Sequence, residues 1–173
     1  MKKEVNVWDY AGHIMEMIPK GCLLTTKADG QVNTMIIGWG HIGIEWSRPS
    51  FIVYVRKSRH THQMLEKNGE FTVNVSLSDP DKQIVSVCGS KSGRDMDKIA
   101  TLGLTLEESD TVSVPGIKEM PLTLECKVIY QQDQDKNAID PECDARYYAK
   151  GTANEDDYHT VYYGQILKAY ILE

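Results

Sequence analysis

In Cys22-Leu23-Leu24-Thr25-Thr26-Lys27, Ala28-Asp29-Gly30 and Gln31-Val32-Asn33-Thr34-Met35-Ile36-Ile37-Gly38-Trp39, two apolar runs flank a short turn-forming segment. Runs of this length, bounded by Asp and Gly, read as two strands of a β-hairpin. Working outward, Phe51-Ile52-Val53-Tyr54-Val55-Arg56 is a third strand, rich in β-branched and aromatic residues. Glu70–Leu77 is a fourth, and Leu122–Gln131 and His159–Leu172 are two longer ones. The segments between them are short. Trp8, Ala11, Met15 and Ile18 stand at helical spacing, with Gly21 as the stop. A short helix is expected around Thr61–Lys67, ended by Asn68-Gly69. Asp79-Pro80 opens another helix running to about Val87, and Asp95 caps one over Met96–Leu102 with Gly103 beyond it. The polar stretch Asp133–Glu142 reads as an exposed loop or hairpin tip. Strands outnumber helices, and the helices are too sparse for alternating βαβ units. The expected fold is therefore mainly β, a closed or partly closed antiparallel barrel with short helical inserts.

The 173 residues suit a single domain spanning 1–173, and 41% apolar with 25% charged residues is an ordinary globular balance. No apolar run approaches the ~20 residues of a membrane span, and no apolar segment follows the N-terminal lysines. The expectation is a cytoplasmic protein without a membrane or nucleic-acid partner, the net charge of −6 disfavouring both polyanions. Cys22, Cys88, Cys126 and Cys143 show no paired spacing and read as free thiols. No metal is expected, because His60-Thr61-His62 lacks further ligands at zinc-site spacing.

Against an acidic background, local cationic clusters are informative. Arg56-Lys57-Ser58-Arg59 stands between a strand end and a helix start at Thr61. Free backbone N–H groups, the helix dipole and the Ser58 and Thr61 hydroxyls can converge there on a phosphate; a solvated basic turn is the alternative. Cys88-Gly89-Ser90-Lys91-Ser92-Gly93-Arg94-Asp95 adds glycines for close backbone approach and further donors, without the order of a Walker loop. Asn33, Thr34 and Met35 with Trp39 could edge and cover a flat heteroaromatic ring, or simply be a strand crossing the core. A catalytic role for Cys88 lacks any His–Asp support, and packing is the preferred reading.

Together these segments resemble the flavin reductase-like family of FMN-binding split barrels. Asn33-Thr34-Met35 with Trp39, Arg48–Arg56 with Thr61, Gly69–Val75, Cys88-Gly89, Ser92–Asp95 with Lys98, and His159–Gly164 carry the resemblance by their order and spacing from about Pro19 to Ile171. The resemblance implies a six-stranded Greek-key split barrel that dimerises with flavin near the subunit interface. It implies that Asn33, Thr34, Met35 and Ile36 meet the isoalloxazine ring, and that Arg56, Lys57, Ser58, Arg59 and Thr61 hold the ribityl phosphate. Cys88, Gly89, Ser92, Gly93, Arg94 and Lys98 would border the cofactor, and His159 and Tyr163 would face the ring or a substrate, His159 being the one catalytic candidate. Many relatives carry Thr where this chain has Ile36. The function implied is an oxidoreductase passing electrons from NADH or NADPH through FMN to free flavin, a metal complex or another small acceptor. A flavoredoxin-type carrier serving a protein partner, or a non-catalytic barrel for another cofactor, are the alternatives. No GxGxxG fingerprint names the donor.

Overall fold

The computed structural model describes residues 1–173. In chain order the elements are β1 (Lys2–Glu4), α1 (Ala11–Met17), β2 (Cys22–Ala28), β3 (Gln31–Ile37), β4 (Gly40–Glu45), β5 (Arg48–Arg56), α2 (His60–Lys67), β6 (Glu70–Val75), α3 (Lys82–Ser90), α4 (Lys98–Leu102), β7 (Leu106–Glu107), β8 (Gly116–Ile117), β9 (Leu122–Asp133), α5 (Pro141–Tyr147) and β10 (His159–Leu172). The β2–β3 hairpin turns at Asp29 and Gly30, both at positive φ (51° and 76°), as a tight hairpin turn requires.

One antiparallel sheet holds eight of the strands in the order β3-β2-β6-β9-β10-β5-β4, with β1 added beside β10; β7 and β8 form a separate ladder. Its two outermost strands, β3 and β4, are joined by only Gly38 and Trp39. A flat sheet of seven strands would be about 29 Å wide, whereas two linking residues reach only about 10 Å. The sheet therefore has to curl until its edges meet. No ladder joins β3 to β4, so the barrel stays open along that seam.

The six strands expected from the sequence are all present, and β1, β4 and the short β7 and β8 are additions. β4, Gly40-His41-Ile42-Gly43-Ile44-Glu45, escapes a pattern reading because its glycines look like a bend. Gly40 is needed for packing, since a Cβ there would come 3.1 Å from the Phe51 ring. Two helix starts move. Asp81, not Asp79, caps α3, and Asp97, not Asp95, caps α4, each accepting backbone N–H groups of its own first turn. The segment after Asp133 is not all loop: Asp140 caps α5. In α1 the buried side chains are Ile14 and Met17, with Ile18 just beyond, while Trp8 and Met15 stay substantially exposed.

Phe51, Val53, Val55, Phe71, Val73, Leu122, Leu124, Cys126 and Tyr162 fill the barrel, and Ile14, Met17 and Ile18 join the same core. Gly164 lies where β10 bulges against β9, and a Cβ there would fall 2.3 Å from the Phe71 ring. A second apolar cluster, Leu23, Ile84, Cys88, Leu104, Ile117 and Met120 with Ile36 and Val85 against it, seats α3 on the β2–β3 hairpin. All four cysteines are free, and only Cys143 is exposed.

Candidate functional site

Two neighbouring pockets open at the seam. The first is lined by Asn33, Ser58, Arg59, His60, Gly93, Arg94 and Lys98, among others, and the second by Trp39, Tyr54, Arg56 and His159. Met35, Ile36 and Arg59 line both, so the two form one cleft. Strand alternation sorts the β3 residues. Asn33 donates from Nδ2 to Thr61 Oγ1 at 2.9 Å, tying β3 to the first turn of α2. Thr34 is turned away, its Oγ1 accepting from Thr25 Oγ1 (3.0 Å). Ile36 packs under Gly21, Val85 and Gly89, so an apolar side chain fills this corner.

The cations of Arg56–Arg59 do not converge as the sequence suggests. Arg56 donates to the Asp157 carbonyl at 2.8 Å and lies over the Tyr148 ring. Lys57 pairs with Asp133 at 2.6 Å, outside the cleft. The Ser58 N–H and hydroxyl are both given to the Asp157 carboxylate, at 3.0 and 2.5 Å. Only Arg59 keeps its guanidinium in the first pocket, and two later residues join it. Arg94 donates to the Ser58 carbonyl at 2.9 Å. Gly93 is pressed against β3, where a Cβ would sit 2.1 Å from Asn33 Oδ1 and 2.9 Å from the His60 ring. Ser92 Oγ accepts the Arg94 N–H and shapes this turn.

Lys98 is the unusual member. It is 3% exposed and makes one hydrogen bond, to the Lys91 carbonyl at 3.2 Å. Its position as first residue of α4 sets a cation at the positive end of the helix dipole. Burial, with Arg59 nearby, pulls its pKa below the usual lysine value, although Cys88 opposes this. None of Arg59, Arg94 or Lys98 has a carboxylate within salt-bridge distance, in a chain with 25 acidic residues. His60, which sequence reading considered only as a metal ligand, adds a buried Nδ1 with no partner. Burial, then Arg94 and Lys98, lower its pKa. Of the three cations only Lys98 is buried; Arg59 and Arg94 are exposed. A buried ammonium with a single carbonyl acceptor is costly unless something negative completes it.

The second compartment is aromatic. Trp39 packs on Tyr147 and His159, with ring centroids 5.1 and 5.2 Å apart. His159 is 5% exposed, with Nδ1 2.7 Å from Tyr148 Oη. Burial first, then Arg56 and Arg59, push its pKa down to about 4, with Asp157 pulling the other way. It is neutral at neutral pH. Cys88 is buried beside Ile36 and Gly89 and its thiol is pushed up by burial, leaving no thiolate. Tyr163 does not line the cleft; it lies farther along β10, against Tyr130 at 5.1 Å. Tyr54, Tyr148 and Asp157 have no local motif in the sequence and enter the site through tertiary pairing.

A curled antiparallel sheet, open at one seam and carrying there a cationic pocket that runs into an aromatic one, defines a split barrel. The chain belongs to the flavin reductase-like domain family, whose model matches residues 15–173. An uncharacterised protein of Archaeoglobus fulgidus is 36% identical over 130 residues, 75% of this chain and 69% of the relative. The flavoredoxin of Methanosarcina acetivorans is 27% identical with a TM-score of 0.66, over 88% of this chain and 68% of that one. An FMN-binding domain of a flavin reductase-like enzyme from Shewanella baltica superposes with a TM-score of 0.66 over 99% of this chain and 77% of its own; at 19% identity the likeness speaks for the fold. No helix is long and apolar enough to cross a membrane.

Proposed function

We propose that the cleft holds FMN and that the protein is a flavin-dependent oxidoreductase. The observation that carries this is the buried, carboxylate-free ammonium of Lys98, set with Arg59 and Arg94 in a pocket continuous with the aromatic compartment. A phosphate dianion would supply the negative partner that these cations lack, and the orphan His60 Nδ1 is a further point of contact. Met35, Ile36 and Trp39 offer apolar cover for a ring. When bound, the flavin supplies the electron chemistry: a hydride taken from NADH or NADPH and electrons passed to a small acceptor. The residues of this chain bind and orient the cofactor and keep the compartment dry, and neutral His159 faces it without carrying charge. No acid–base triad is needed for that chemistry.

Calorimetric titration with FMN and with riboflavin tests the reading. FMN should bind at least about thirtyfold more tightly, the worth of one or two charge-assisted hydrogen bonds. Equal affinities would remove the phosphate argument. NADH or NADPH oxidation by the flavin-loaded protein then separates an enzyme from a flavoredoxin-type carrier. The flavoredoxin likeness keeps the carrier as the second reading. Exposed Ile44 (69%) and Trp46 (62%), with Trp46 edge-on to Tyr130 at 6.1 Å, favour a homodimer that covers this apolar face. Light scattering that finds a monomer with FMN bound would overturn that assembly.

A further inference from the structure

His159 is held by a hydrogen-bond chain whose proton positions follow from donor counting alone. Gln134 and His159 are paired through the backbone, the Gln134 N–H donating to the His159 carbonyl at 3.0 Å. In return the His159 N–H donates to Gln134 Oε1 at 3.1 Å. A backbone N–H is always a donor, so the side-chain atom facing it must be the amide oxygen; an amide NH2 there would set donor against donor. The same Oε1 lies 3.0 Å from Tyr148 Oη. An amide oxygen only accepts, so the single phenolic proton of Tyr148 is committed to Gln134. Tyr148 Oη also lies 2.7 Å from His159 Nδ1. With its own proton spent, it can only accept there, and Nδ1 must carry the hydrogen.

A neutral imidazole protonated on Nδ1 has a bare lone pair on Nε2. The buried polar atoms left without a partner are His60 Nδ1, Asn74 Oδ1 and Tyr170 Oη. His159 Nε2 has no hydrogen-bond partner either and is not among them, so it is open, and the space His159 lines is the aromatic compartment with Trp39 and Tyr54. Tyr148 is itself pinned, stacked on Tyr158 at 4.6 Å and set under the Arg56 guanidinium. Tyr158 in turn donates to Asp144 at 2.8 Å.

We propose that Gln134 and Tyr148 are positioning residues that hold His159 with Nε2 as a hydrogen-bond acceptor, so that the aromatic compartment selects flat ligands bearing an O–H or N–H donor. The acceptor would meet a donor on an aromatic substrate, or an N–H of a reduced ring, and would discriminate against analogues in which that donor is methylated. The count fixes Nδ1 as the donor to Tyr148; with burial holding the ring neutral, Nε2 has no proton to give a ligand, although a donated bond is the more obvious expectation for a histidine beside a flavin. The inference shares its cleft with the flavin proposal, but its test requires no turnover and no bound cofactor.

Nitrogen-15 NMR of the five histidines in the full chain, with His159 identified by its absence from His159→Ala, reads the tautomer directly. The expected result is a protonated Nδ1 and a bare Nε2 from pH 5.5 to 8. Tyr148→Phe removes the acceptor and should turn the population to Nε2–H. Gln134→Leu leaves Tyr148 in place but frees its proton for Nδ1, and should do the same. Gln134→Glu, an acceptor of similar shape, should retain the wild-type tautomer that Gln134→Leu loses, and this contrast between the two variants is what a merely structural role would not produce. Phenol as probe should shift the Nε2 resonance and bind about tenfold more tightly than anisole, the difference of one neutral hydrogen bond. An Nε2–H tautomer in the wild type, Gln134→Leu without effect, or a phenol that binds no better than anisole would each overturn the proposal. A correct tautomer in a protein that fails to bind FMN would instead count against the flavin reading and leave this one standing.

Discussion

Lys98→Met separates a ligand-binding cation from a structural one, because the two roles predict opposite signs. The ammonium is 3% exposed, has one carbonyl acceptor at 3.2 Å and has no carboxylate within 4.0 Å. In the unliganded protein it is therefore a charge taken from water with little in return. Replacing such a charge by an apolar side chain of similar length is neutral or stabilising, by about 1–4 kcal/mol. At this chain length each kcal/mol moves the midpoint by about 2–4 °C, so the ligand-free variant should melt several degrees higher. In the complex the same change deletes a charge-assisted contact to phosphate, worth about 2 kcal/mol, or about thirtyfold in Kd for FMN. Riboflavin, with no phosphate, should lose almost nothing. The assay is thermal unfolding of the cofactor-free protein beside calorimetric titration with both flavins. A variant that melts lower and binds FMN as before would show that Lys98 braces α4 and would refute the anion-site argument.

Cys88, His159 and Gly164 carry expectations of the same kind. Cys88→Ser should leave NAD(P)H oxidation within about tenfold, about 1.4 kcal/mol, because burial keeps the thiol protonated; complete loss with FMN retained would demand a thiol role. His159 is held near 4 in the fold against about 6.5 unfolded, so the unfolded chain binds the extra proton between those values. Stability should accordingly rise with pH from about 4 to 6.5 by up to about 3 kcal/mol and be flat above. His159→Asn should abolish that slope in urea unfolding; an unchanged slope would assign it elsewhere. Gly164→Ala drives a methyl to 2.3 Å from the Phe71 ring and should cost about 1–3 kcal/mol by thermal melting, whereas an unshifted midpoint would mean that β10 gives way freely.

The barrel strands were readable because each is a long apolar run with turn residues at its ends, and β2, β3, β5, β6, β9 and β10 all fall where that pattern places them. β4 was not, since a strand with two glycines buries too little to leave a period. The two shifted caps show a different limit. Asp79 and Asp81, like Asp95 and Asp97, are chemically equivalent candidates, and only the direction of the entering chain selects between them. At the cleft, composition marked the Arg56–Arg59 and Cys88–Asp95 segments but could not say which cations are spent. Asp133 pairs with Lys57 and Asp157 takes the Ser58 donors from far along the chain, while Lys98, in an ordinary-looking helix start, is the buried cation left without a carboxylate. The Gln134–Tyr148–His159 chain has no sequence signature at all, because strand pairing and α5 assemble it.

β10 has one more consequence, for how the molecule comes into being. It pairs with β1, β5 and β9, and through His159 it supplies a wall of the cleft, yet it is the last of the sheet's strands to be synthesised. Until it arrives, β5 and β9 each present an open edge, and β1, at the other end of the chain, has no partner anywhere. The ladders β2–β3, β2–β6, β4–β5 and β6–β9 can form before β10 arrives, but β1 and the free edge of β5 must wait for partners more than a hundred residues distant, and such long-range pairing slows assembly. Nascent chains will be most vulnerable to edge-to-edge association in that interval, and the aromatic compartment gains its His159 wall only in the same event that ends it.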